Sequence, residues 1–179
     1  ADGKTIAGSG TTAITALHST LGADLSNITS TSVTAAFDSS GTFTGNLGSA
    51  AVTVASGQTL TTTAAIADGK TIAGSGTTAI TALHSTLGAN LANVDSTTTT
   101  AAFDGSGTFT GTLDGAVVTV ADGVTMTAAA NVVAGETVNK SSSGVLAVKV
   151  GTADAAVDLT TIGGTAFSTV TVFEDTTFT

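Results

Sequence analysis

The sequence predicts an all-β protein with short helices, a parallel β-solenoid or β-helix built from tandem 66-residue repeats, and three observations carry that expectation. First, ADGKTIAGSGTTAITALHSTLGA stands word for word at 1–23 and again at 67–89, and residues 1–66 match 67–132 at 48 of 66 positions. Periods of this size belong to architectures in which each unit is stabilised by stacking on the next. Second, one short motif recurs inside and between the copies: ADGKTI at Ala1, ASGQTL at Ala55, ADGKTI at Ala67, ADGVTM at Ala121 and VAGETV at Val133. Its glycine accepts positive φ in a turn, and the Thr-aliphatic pair after it starts a strand with one side chain out and one in. Third, 40 residues are Thr and 22 are Gly, with no Pro, Trp, Tyr or Cys. A core of Val, Ile, Leu, Ala and seven Phe is thin, which suits a narrow coil better than a thick globule.

The organisation follows from these repeats. Residues 1–66 form repeat 1, 67–132 repeat 2, and 133–179 a degenerate, truncated repeat 3, all in one continuous solenoid. In the third copy VAGETV replaces ADGKTI, VDLTTI replaces ADLSNI and VFEDTTFT replaces AFDSSGTFT. Within a copy, period-two alternation predicts strands at SVTAAF (32–37), TFTGNL (42–47), AVTV (51–54) and TLTTTAAI (59–66). The third copy adds VLAVKV (145–150) and STVTVFE (168–174). One stretch departs from alternation: Ile14, Leu17, Leu21, Leu25 and Ile28 are spaced 3, 4, 4 and 3, which predicts a helix of one to three turns against the sheet. A further loop and short strand is the alternative there.

Charge excludes several roles. Thirteen Asp and Glu face four Lys and no Arg, a formal net charge of −9. Nucleic acid is excluded as a partner because phosphate contacts need a basic footprint. The positive mean hydropathy and recurrent apolar positions argue against disorder. No apolar run reaches the length of a membrane span, so no membrane insertion is expected in this segment. With no initiator Met and Ala1 at a repeat boundary, a mature or excised chain whose export signal is not shown is expected.

Candidate site residues are few. His18 and His84 lie between Leu and Ser, and their nearest acids along the chain, Asp24 and Asn90, differ between copies; exposed polar positions are expected, not catalytic ones. Asp2, Asp38, Asp68, Asp104 and Asp122 are the carboxylates a calcium ion would draw on. The dense Asp-x-Asp or Gly-Gly-x-Gly-x-Asp patterns of calcium loops are missing, so solvated turn carboxylates and no cofactor are expected. No Gly-x-Ser-x-Gly elbow accompanies the serines, and GSGTT lacks the Gly-Lys-Ser/Thr of a phosphate loop. The chain is therefore expected not to be an enzyme. Thr-x-Thr pairs at Thr42/Thr44, Thr108/Thr110, Thr125/Thr127 and Thr169/Thr171 raise an ice-binding alternative, although the pairs do not recur at every coil.

The A-D/S-G-x-T-I/L units, the GADLSNI segment and the AFDxSGTFTG strand pair cover essentially the whole chain. In these features it resembles the long Thr/Gly-rich strand-repeat proteins that bacteria export to their surfaces. That resemblance implies surface-layer, adhesin-stalk or extracellular appendage material, at the cell surface or outside it. The expected function is a structural subunit of an extracellular filament or surface assembly. Copies would join head-to-tail, with Ala1, Thr5 and Ile6 at one end and Val170, Val172, Phe173 and Phe178 at the other. An adhesin stalk or a ligand- or ice-binding module is the alternative.

Overall fold

The computed structural model describes residues 1–151, 157–165 and 167–172, the last six by their backbone. Thirteen strands run in order with two short helices: β1 (Ile6–Ile14), β2 (Ile28–Phe37), β3 (Gly41–Thr42), β4 (Ala51–Val54), β5 (Thr59–Thr63), α1 (Ala64–Ala67), β6 (Ile72–Thr81) and β7 (Val94–Phe103). There follow β8 (Gly107–Phe109), β9 (Val117–Val120), β10 (Thr125–Ala129), α2 (Ala130–Val133), β11 (Val138–Lys140), β12 (Val145–Val150) and β13 (Phe167–Val172). All the strand pairings are parallel, one sheet running β1-β2-β4-β6-β7-β9-β11 and another β13-β12-β10-β8. Ladder partners lie between 17 residues apart, as in Thr34 with Ala51, and 22, as in Ile6 with Ile28. The protein is a parallel β-solenoid, each coil lying on the one before.

The turn motif sets the corners. Gly3, Gly57, Gly69, Gly123 and Gly135, one from each motif, adopt φ between 59° and 80°. A side chain at these positions would crowd the following carbonyl, so glycine is the residue that turns the chain. Ile6, Thr59, Ile72, Thr125 and Val138 then open the strands that follow.

Parallel stacking sorts the apolar residues into columns. Ile14, Ala35, Val52, Ile72 and Val94 occupy successive rungs of one column, and Ile80, Ala101, Val118 and Val138 those of the next. Ile14 and Ile80 are equivalent in the sequence repeat yet head neighbouring columns. Three rungs carry the chain from Ile14 to Ile72; β6 then crosses a corner at the register shift between Gly74 and Thr77 before reaching Ile80. Sixty-six residues thus span three coils plus one side, so equivalent strands of copies one and two sit on adjacent sides.

The core is made of these stacked columns of aliphatic side chains together with Phe37, Phe43, Phe103 and Phe109, all fully buried. Its three buried hydroxyls are bonded: Thr62 donates to the Phe43 carbonyl (3.1 Å), Thr99 to the Val94 carbonyl (3.1 Å), and Thr78 shares a 2.6 Å bond with Ser96. A buried hydroxyl left unpaired would cost the full desolvation of that group.

Three expectations are corrected. The helical spacing from Ile14 to Ile28 gives only a single 3₁₀ turn, Leu17–Ser19, repeated at Leu83–Ser85. Ile14 ends a strand and Ile28 begins one, while Leu17 and Leu25 point inward from a corner. A chain wrapping three sides places inward residues three and four apart without being helical. TLTTTAAI is a strand only to Thr63, because Ala64–Ala67 closes into a helical turn that rounds the next corner. TFTGNL is a strand only to Thr42 in the first copy and to Phe109 in the second. Beyond that point Thr44 and Asn46 still donate to the Leu21 and Ala23 carbonyls of the coil below, at 2.7 and 2.9 Å.

Candidate functional site

The polar side chains that sequence reasoning singled out hold one coil to the next. In the turns, Asp2 Oδ1 accepts from the Asp24 amide at 2.9 Å, and its copy Asp68 accepts from the Asn90 amide at 2.8 Å. Asp122 takes both the amide and the hydroxyl of Ser143, at 2.9 and 2.5 Å. The hydroxyl bond comes first in holding the Asp122 carboxyl below its ordinary range, followed by the amide. Asp24 and Asp158 are lowered in the same way by bonds from Ser26 and Thr160, which close Asx turns at equivalent places in copies one and three. The calcium candidates are therefore separate acceptors on separate coils. Among the described residues no three His, Asp or Glu come together as a metal site.

His18 and His84 are placed differently from the expectation. Each ring is partly exposed, and its Nδ1 meets a carboxylate from the following coil: Asp38 for His18, and Asp104, at 2.5 Å, for His84. Both acids are kept between the copies. Sequence reasoning looked for a partner within a few residues, whereas in a solenoid the neighbour lies one coil away, here 20 residues on. That interval, common to His18/Asp38 and His84/Asp104, was the usable signal. Ser85 adds a 3.2 Å contact to the His84 Nε2. In the first copy Ser19 instead donates to the Ala16 carbonyl at 2.8 Å, so a Ser-His-Asp series is not repeated.

One position changes sign along the rod. Lys70 donates to the Gly48 carbonyl at 2.7 Å, whereas Glu136, its repeat equivalent, accepts from the Gly115 amide at 2.9 Å. Asp114, at the site of Gly48, keeps that turn's positive φ. Burial is the main reason the Glu136 carboxyl is raised above its ordinary range; the Gly115 bond opposes this and the Asp114 charge adds to it. A raised native value means that the folded state holds the proton more tightly. Its contribution to stability is present below the unfolded-state value and is lost as pH rises through the native one. Glu136→Gln is accordingly expected to melt higher than the parent at neutral pH, with the gap closing in acid; equal melting at all pH would refute this.

The assembly candidates fall at the two ends. Ala1 and Thr5 are exposed and Ile6 is half-buried on the first coil, beside an open trough of ≈ 380 Å³ whose walls include Ile6, Thr12, Ile14 and Leu17. Val170 and Val172 lie on β13, paired to Val148 and Val150. Phe173 and Phe178 lie outside the described residues.

The outward faces also hold more than the Thr-x-Thr motif suggested. Thr59, Thr77 and Thr98 share one register position, Thr42, Thr61, Ala79, Thr100 and Val117 the next, and Thr63 and Thr81 a third. These rows assemble from segments that are not equivalent in the repeat, so they were hidden to a search for motifs recurring at a fixed spacing. Comparison with protein-family models, with curated proteins and with solved structures finds no match to this chain.

Proposed function

We propose that this protein is a structural rod: a subunit of an extracellular filament or surface assembly in which copies meet head-to-tail through their terminal coils, and not an enzyme. The observation that supports this best is the use made of its polar side chains. The turn aspartates and both His-Asp pairs reach from one coil to the next, which stiffens a rod and leaves none of them converging on a shared pocket. Nearest-neighbour stacking of this kind is stable in proportion to its length and extends by adding coils. The resemblance to exported Thr/Gly-rich strand-repeat proteins supports a place at the cell surface. Among the described residues no helix is long and apolar enough to cross a membrane. Negative-stain images over a concentration series are the test: filaments or sheets are expected, and particles that stay single coils-long rods at every concentration would contradict the proposal.

A second function is favoured by the Thr rows on β5, β6 and β7. Strands about 4.8 Å apart carrying outward Thr at most alternate positions, with Ala79 the break on β6, present hydroxyl and methyl groups on a near-regular grid, which suits the ordering of water. Thermal hysteresis by the isolated protein, lost in Thr61→Lys, would favour an ice-binding module over a purely structural one.

A further inference from the structure

The two His-Asp ties differ on the side of the ring that faces away from the carboxylate. Residues 15–23 and 81–89, which carry the imidazoles, are identical. The segments that carry the carboxylates, 37–44 and 103–110, differ at one position: Ser39 in the first copy is Gly105 in the second. Gly105 has no positive φ, so the turn does not require glycine there. A Cβ on it would stand 2.5 Å from Cδ2 of His84 and 2.9 Å from its Nε2, so the ring lies directly on the glycine backbone. Where Ser39 occupies that place the ring cannot lie in the same way. The neighbouring serines differ accordingly: Ser85 Oγ reaches the His84 Nε2 at 3.2 Å, whereas Ser19 turns back to the Ala16 carbonyl.

In the second copy three side chains therefore stand in line. The Asp104 carboxylate, 2.5 Å from Nδ1, accepts the proton on that nitrogen, which leaves Nε2 with a free lone pair. The Ser85 hydroxyl donates to that lone pair. This is the relation of a nucleophile to its base, and of the base to the group that orients it. Ser85 is exposed, and His84 and Asp104 are 36% and 47% exposed, so a small molecule in solution reaches the hydroxyl.

We propose that Ser85 is a site of covalent acylation, taking one acyl group from an activated carboxylic ester. His84 accepts the hydroxyl proton at Nε2 as Oγ attacks the ester carbonyl. The new bond joins Oγ to the acyl carbon. The bond from that carbon to the leaving oxygen breaks, the oxygen departs with the electron pair, and the proton passes from Nε2 to it or to water. Asp104 fixes the tautomer of the ring and is a positioning residue; it takes no proton. Acylation outpaces release, because Ser85 is held against the base while the water that would free the acyl group comes from bulk solvent. One acyl group per chain, carried on the 3₁₀ turn Leu83–Ser85, is an attachment and not a turnover. The proposal thus goes beyond the structural role above and does not depend on it.

The test incubates the full chain with p-nitrophenyl acetate and locates the acetyl group by peptide mass spectrometry. Ser85 is expected to be acetylated about a hundredfold faster than Ser19, the lower end of what a positioned base supplies. Gly105→Ser, which gives the second copy the first copy's segment, should bring the rate at Ser85 down to that at Ser19. The converse change, Ser39→Gly, should raise the rate at Ser19 toward that at Ser85, a gain that loss of folding cannot produce. His84→Gln should abolish the difference between the serines. Asp104→Asn should lower the Ser85 rate about tenfold or more, with Asp104→Glu recovering part of it. Equal acetylation of Ser85 and Ser19 in the parent chain would overturn the proposal, as would a Ser85 rate unmoved by His84→Gln or Gly105→Ser. Acetylation confined to the lysines and the terminal amine would overturn it too.

Discussion

Phe109→Ala is expected to destabilise the protein by about 3–5 kcal/mol. The ring is fully buried, and Phe109 is one of four phenylalanines that head the largest fully buried side chains among the described residues. Its rung partner on β10 is Ala128, a side chain too small to fill the space, so the cavity has little to collapse into. Phe43→Ala, at the equivalent place in the first copy, should cost a similar amount because its ring is equally buried. In a stacked array such a loss divides the rod at that point. Chemical denaturation is expected to show a broadened or two-step transition with a lower midpoint; a drop under about 1 kcal/mol, far below the large-to-small range, would mean that the ring is not core.

Gly111→Ala is the second large effect, and its cause is backbone instead of side-chain volume. An added Cβ would lie 2.0 Å from the Ala89 carbonyl oxygen and 2.8 Å from the Ala89 amide nitrogen, both on the coil below. The same carbonyl accepts the Thr112 amide at 2.9 Å, so the coils cannot part there without breaking that bond. Overpacking with no flexible side chain to yield reaches the upper end of its usual range, about 3 kcal/mol. Gly45→Ala meets the Ala23 carbonyl at 2.1 Å and should behave alike. Gly10→Ala, the same change in open space, serves as the control. Melting temperatures of the three variants decide it, and a Gly111→Ala protein as stable as Gly10→Ala would show that the coils do not approach as described.

How much of this was legible in the sequence depends on which physical signal each feature leaves. The solenoid was, because its corners need Gly at fixed places and its strands open on Thr-aliphatic pairs, as at Gly57 and Thr59. The strands AVTV and VLAVKV were found at their observed limits, since each alternates cleanly between turns. The stretch from Ile14 to Ile28 was misread because local spacing cannot tell a helix from a chain rounding a corner. The rotation of each copy by one side was invisible for a related reason. Column membership depends on coil length, and the ladder steps within a repeat are unequal: 22 residues from Ile6 to Ile28, 17 from Thr34 to Ala51 and 20 from Val52 to Ile72. The His-Asp ties were missed because the partner lies a coil away, at Asp38 and Asp104. Contact along the rod is long-range in sequence and nearest-neighbour in space, so a site search here should step by coils and not by residues.

The central claim is that successive coils lie in parallel register, one rung apart, irrespective of the repeat boundary. Thr42, Thr61, Ala79, Thr100 and Val117 share one outward column under that claim. The chain has no cysteine, so spin labels can be placed at Thr42→Cys and Val117→Cys alone. Four rungs separate these positions, and pulsed electron–electron resonance should give one narrow distance near 19 Å once the label arms are allowed for. Thr42→Cys with Thr100→Cys should fall one rung shorter. A broad distribution, or a Thr42 to Val117 distance shorter than that of Thr42 to Thr100, would contradict the parallel solenoid.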